Sequence, residues 1–218
     1  MRLLPLLLLL GLAACGGEAP RPGPRELVEA ATAGDLERVE ALLDRGADVD
    51  GRDATGRTAV TAAAYGGHAG VVRRLVEAGA DVDLQDSTRA NALLSTGETG
   101  YLDVLEEVLA ADPDLSRTNR FGGTALIPAA DRGHVEVVRR LLRTEIDVDH
   151  VNDLGWTALL EAVILGDGGP RHREIVRLLV AAGADVSLAD RDGVTPLAHA
   201  RSRGYRAIAA VLADAGGG

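Results

Sequence analysis

Residues 53–83 read DATGRTAVTAAAYGGHAGVVRRLVEAGADVD, and most of the chain is a variation on that stretch. The position of Thr58 is refilled by Asn91, Thr124 and Thr157 at steps of 33 residues, then by Thr195 after a step of 38, so five residues are inserted in the last interval. The other end of the unit keeps the same ruler through Val49, Val82, Leu115, Val148 and Val186. A fixed period of this size is the signature of a stacked repeat protein.

The letters of the unit have physical roles. Thr at the helix start caps a free backbone N–H, and Pro196 suits the first helical position. The pairs Ala30-Ala31, Ala63-Ala64 and Ala129-Ala130 let the first helix pack closely on its neighbours. Gly34, Gly67, Gly100, Gly133, Gly166 and Gly204 are placed to end that helix in the left-handed region. The second helix carries an i, i+3, i+4 apolar stripe: Val39-Leu42-Leu43, Val72-Leu75-Val76, Val138-Leu141-Leu142 and Val176-Leu179-Val180. Gly46, Gly79 and Gly183 stop it, and the Ala-Asp-Val-Asp that follows turns the chain into a projecting finger. One unit cannot bury its stripe alone, whereas a stack can.

The pattern D-x-x-G-x-T-P-L-x-x-A-A-x-x-G-H-x-x-x-V-x-x-L-L-x-x-G-A-D-V resembles the ankyrin repeat. It is carried best by residues 53–83, 119–149 and 190–212, and Thr195-Pro196-Leu197 gives the first letters of the family's Thr-Pro-Leu-His, with Ala198 where that His would stand. The resemblance covers about residues 25–215. It implies an all-α ankyrin solenoid of about six helix–turn–helix repeats with projecting β-hairpin fingers. The expected units are an N-terminal cap at 25–52, repeats at 53–85, 86–118, 119–151 and 152–189, and a C-terminal cap at 190–218. The third unit departs most: Arg89 replaces the finger Gly, Asn91 the capping Thr, and Thr96-Gly97 the Ala pair, while Ser95, Glu98 and Thr99 make its first helix polar. That polarity suits either a tuned central contact or a drifted repeat held by its neighbours. The insertion, Asp167–Arg171, should lengthen the turn between the two helices of the fifth unit, at low cost.

Ahead of the repeats, MRLLPLLLLLGLAAC places one Arg before a twelve-residue apolar run. That run is too short to span a bilayer and suits a signal-peptide core. Leu12-Ala13-Ala14-Cys15 resembles a bacterial lipobox, which implies a signal peptide at 1–14 and a lipid-carrying Cys15, the sole cysteine. Residues 15–24 then form a Pro/Gly linker. Gly16, by analogy with enterobacterial sorting, points to the outer membrane. The expected location is the cell envelope, lipid-anchored and facing the periplasm.

The formal charge is −10, and every basic residue is Arg. Such a chain lacks the basic footprint of a nucleic-acid binder. His68, His134 and His172 share one repeat position with Tyr101 and Tyr205. A place that takes His or Tyr is a packing position, and copies one repeat apart stand roughly 10 Å from each other, too far to ligate one metal. The Asp-rich loops lack the spacing and closing Glu of a calcium loop and read as turn and cap residues. No phosphate loop or nucleophile elbow is present, so neither cofactor, metal site nor catalytic residue is expected.

A binding surface remains. The family's partners dock on the finger tips and the exposed face of the first helices, here the concave face. By position this nominates Arg57, Arg120, Phe121, Asp153, Leu154, Trp156 and Arg191 on the fingers, with Tyr65 on a first helix. The only Phe and the only Trp fall on adjacent fingers with Leu154 beside them, and aromatics and Arg are the usual interface anchors. The function expected is a non-enzymatic protein–protein interaction scaffold or adaptor at the envelope. The alternatives are an inhibitor or immunity protein for an envelope hydrolase or toxin, and an accessory protein in oxidative stress defence.

Overall fold

The computed structural model describes residues 21–216. The expected signal peptide, Cys15 and the first part of the expected linker lie outside the described residues. Among these there are twelve α-helices and no strand. They form six pairs: α1 (Pro24–Ala33) with α2 (Leu36–Asp44), α3 (Ala59–Gly66) with α4 (Ala69–Glu77), α5 (Ala92–Thr99) with α6 (Leu102–Leu109), α7 (Leu126–Asp131) with α8 (Val135–Leu141), α9 (Ala158–Ile164) with α10 (Pro170–Ala181), and α11 (Pro196–Ser202) with α12 (Arg206–Asp214). Odd-numbered helices pack on one another in an inner row and even-numbered helices in an outer row. This is an ankyrin solenoid, and its core lies between the rows. Both Ala pairs of α1 and α3 and the Val and Leu of each outer stripe are buried there.

Four of the five capping positions work as the sequence suggests. Thr58, Asn91, Thr157 and Thr195 accept from the backbone N–H of Thr61, Leu94, Leu160 and Ala198. Thr124 does not cap: α7 opens one residue late, at Leu126, and the buried Thr124 hydroxyl has no partner. The cause is Pro128. In α3 the Ala62 N–H donates to the Thr58 carbonyl, and Pro128 occupies the matching place without an N–H. The first turn tightens instead, with the Ile127 N–H donating to the Thr124 carbonyl at 3.2 Å.

At the far end of the inner helices Gly34, Gly67, Gly100, Gly133 and Gly204 take positive φ, but Gly166 does not; Gly168, inside the insertion, is left-handed in its stead. Gly34, Gly67, Gly100, Gly133 and Gly168 leave room for a ring from the next repeat. A Cβ on Gly34 would stand 2.5 Å from the His68 ring. The His68, His134 and His172 Nε2 atoms each donate to a carbonyl at the end of the preceding inner helix, of Thr32, Glu98 and Asp131, and the Tyr205 hydroxyl donates to the Gly166 carbonyl. The shared His/Tyr position thus closes helix ends that would otherwise leave carbonyls free. The insertion is divided: 167–169 form the turn, while Pro170 and Arg171 lengthen α10, with Pro170 at its first position. Pro24 likewise belongs to α1 and not to the linker.

The fingers are hairpin turns without strand pairing among the described residues, which corrects the β-hairpin expectation. Each is closed by two backbone hydrogen bonds, for example Asn152 N–H to the Trp156 carbonyl at 3.0 Å and Gly155 N–H to the Asn152 carbonyl at 2.9 Å. The Asp or Asn at its base accepts from the amides two and four residues on: Asp53, Asp86, Asn119, Asn152 and Asp190 all do so. With that side chain holding the loop, extended strands are not needed. Asp48, Asp81, Asp114, Asp147 and Asp185 hold the exit loops by the same kind of turn.

Candidate functional site

The fingers and inner helices together present one face of the stack. Along it, between repeats two and four, runs a cleft of ≈ 320 Å³ lined by Tyr65, Leu94, Ser95, Phe121 and Arg132, among others. A second, of ≈ 250 Å³, continues it toward repeat five and is walled by Phe121, Ile127, Leu154 and Leu165. Phe121 borders both. The apolar side chains on this face are open to solvent: Tyr65 is 58% exposed, Phe121 55%, Leu154 50% and Leu165 51%. Four large apolar groups with half their surface in water, on one continuous face, form a patch of the kind that marks interaction sites.

The nominated residues do not all converge. Tyr65, Phe121 and Leu154 line the clefts. Trp156 stands at the base of its finger, half-buried, and lines neither. Arg120 borders the first cleft with its guanidinium over the Phe121 ring, 4.8 Å from the centroid. Arg57 is turned to Asp53 of its own finger at 3.4 Å and lines a separate cleft near the N-terminal cap. Asp153 and Arg191 join fingers: the Asp153 N–H donates to the Phe121 carbonyl, and the Arg191 guanidinium donates to the Asp153 carbonyl. The last two therefore fix the spacing of the fingers that carry Phe121 and Leu154.

Two members of this face escaped the sequence reading. Leu165 falls where other repeats carry Gly66, Thr99, Arg132 and Arg203, so a Leu out of register was its signal. Glu161 falls where repeats two and three carry Ala62 and Ser95. It is only 6% exposed, and the Asn152 amide donates to its Oε1 at 2.7 Å. Burial first, and the charge of Asp131 second, push its carboxyl up to about 7, against the pull of the Asn152 hydrogen bond. In repeat six the same register position is His199, whose Nε2 donates to Asp190 Oδ2 at 2.7 Å. Asp190 is held below the usual carboxylate range by the Val194 N–H and by His199.

The pattern of the family described as ankyrin repeats (3 copies) matches residues 27–119 and 93–190. The chain is 48% identical over 56 residues to the ankyrin repeat protein YahD of Escherichia coli (strain K12), a stretch that is 26% of this chain and 28% of that protein. Among solved structures, an ankyrin repeat domain from Acinetobacter baumannii AYE superposes with a TM-score of 0.84 at 49% identity, covering 87% of this chain and 97% of that one. The ankyrin repeat protein EF0377 gives 0.84 at 37% identity, covering 88% and 98%. The human ASB11 ankyrin repeat domain shares the fold at 24% identity, with a TM-score of 0.75 and 87% and 83% covered.

Proposed function

Because the chain belongs to the ankyrin repeat family, we propose that it is a non-enzymatic protein-binding scaffold, held by a lipid on Cys15 at a bacterial envelope and facing the periplasm. Its partner docks on the finger and inner-helix face of repeats two to five. The observation that carries the binding face is the row Tyr65, Phe121, Leu154 and Leu165, exposed along two adjoining clefts. Aromatic and aliphatic anchors in such a row dominate interface energies. The fingers are tied to one another by backbone and Arg contacts, so little ordering is needed on binding. The anchor rests on the lipobox-like Leu12-Ala13-Ala14-Cys15, and it would raise the effective concentration for a partner on the same surface. The acidic charge of −10 favours, as a second reading, an inhibitor that meets a basic envelope enzyme.

Two measurements test this. A photo-crosslinking residue at position 121 should capture a discrete partner in the native cell, and one at position 73 on the outer row should not. Equal capture from both positions removes the proposed face, and none from either removes the scaffold reading. Replacing Cys15 by Ala should move the protein from the membrane to the soluble fraction; unchanged fractionation removes the lipid anchor.

A further inference from the structure

The cleft toward repeat five holds more acidic groups than basic ones. Its charged lining is Glu98, Asp131, Arg132 and Glu161, and Arg132 is already engaged with Glu98 on the facing helix. That leaves Asp131 and Glu161. Where the same register position carries a hydrogen-bonded pair in repeat six, both partners are present, Asp190 and His199. In repeat five the acid is present, its finger-base neighbour Asn152 is neutral, and Glu161 Oε1 alone is occupied.

We propose that this cleft receives one basic side chain, Arg or Lys, from a partner protein segment whose neighbouring side chains are apolar, with Glu161 as its counter-ion. The site rests on the reading that this face binds a protein. Charge complementarity selects the guest: a carboxyl this deeply buried keeps its proton when alone and is drawn into its charged form by an adjacent cation, and Asp131 adds to the same field. The ≈ 250 Å³ of this part of the groove gives room for one long side chain. The walls suit the stem of the guest. Phe121, Leu154 and Leu165 offer apolar surface to the methylenes of Arg or Lys and to the flanking residues. Phe121 already stacks one guanidinium, that of Arg120, so the ring is suited to a second on its free surface.

The test pans a phage-displayed random peptide library against the full chain held in detergent, then measures Kd for the enriched peptides. They should share one Arg or Lys beside apolar residues. Glu161→Gln, which keeps an oxygen for the Asn152 amide, should weaken them roughly 10- to 100-fold, the loss of one charge-assisted hydrogen bond. Replacing the peptide's basic residue by Ala should cost the same and add nothing on top of Glu161→Gln. Circular dichroism checks that each variant folds, and Asp131→Asn, at a more open position, should weaken binding in the same direction. Peptides that are lost on Phe121→Ala but indifferent to both acidic variants would overturn the cation site and leave the binding face in place. Peptides indifferent to Phe121→Ala as well would overturn both.

Discussion

Repeats three and five both break the pattern of repeat two, and they break it in opposite ways. In repeat three the irregular hydroxyls and glycine of α5 are taken up by the stack. Ser95, Thr96 and Thr99 donate their hydroxyls to the carbonyls of Asn91, Leu93 and Ser95 in their own helix. Gly97 lies against repeat four so closely that a Cβ there would stand 2.2 Å from the Ala125 carbonyl oxygen. In repeat five the irregular residues Leu154, Glu161 and Leu165 line the open cleft. A departure whose polar atoms are satisfied within the repeat serves the stack. One that leaves apolar surface or a carboxylate facing a cleft is available to a partner. By that criterion the hydroxyls of α5 are structural, while Glu98 faces both clefts and is engaged there by Arg132.

The largest effect that would sharpen this contrast is expected at Gly97. Helix propensity alone would have Gly97→Ala stabilise, since Ala or Val fills the matching place in repeats two, four and five. The Ala125 carbonyl reverses that sign, and a loss of about 3 kcal/mol is expected in urea denaturation; a gain would show that α5 and α7 can slide apart freely. Next comes Glu161→Gln, read as stability against pH. The folded carboxyl titrates near 7 against 4.5 for the ordinary group, so the folded state holds its proton longer. Stability of the parent should fall as pH rises from 4.5 through 7 and then level off. The variant should therefore be about 2 kcal/mol more stable at pH 8, a figure reduced from the full shift because the cleft admits water, and equal to the parent near pH 4. A pH-independent difference would mean that the carboxyl is not desolvated.

Smaller effects probe repeat three itself. The amide Nδ2 of Asn91 is buried without a partner, an exception to the satisfied pattern. Asn91→Thr should keep the cap to Leu94 and remove the stranded donor, adding about 1 kcal/mol. No gain, or a loss, by denaturation would mean the amide finds water. Arg89 stands at φ 60, where fingers two, four, five and six carry a Gly. Relief of that backbone offsets the entropy cost of Gly and the lost hydrogen bond to Thr118, so Arg89→Gly should add only about 0.5 kcal/mol. A larger change would place Arg89 in more than a turn.

The site was half legible. Phe121 and Leu154 could be placed because the finger register assigns each residue a side, whereas Leu165 was missed although it stands as a letter out of register. Trp156 misled, since rarity in the sequence says nothing of whether a ring stands at the tip or the base of a finger. Glu161 was hidden among ordinary helix residues, because its chemistry comes from burial and from Asp131 on the neighbouring helix.

What the sequence determined by itself is the solenoid. Its 33-residue period, caps, glycines and apolar stripes act within one unit or between identical units, so a local reading reaches them. What the tertiary structure decided is wherever neighbours differ. Pro128 in one repeat delays a helix, while Gly97 in the preceding repeat leaves room for the nearby Ala125 carbonyl. Burial first, then Asp131, against the hydrogen bond from Asn152, sets the charge of Glu161. Those effects arise between side chains brought together by stacking, and packing distances of a few tenths of an ångström decide their sign.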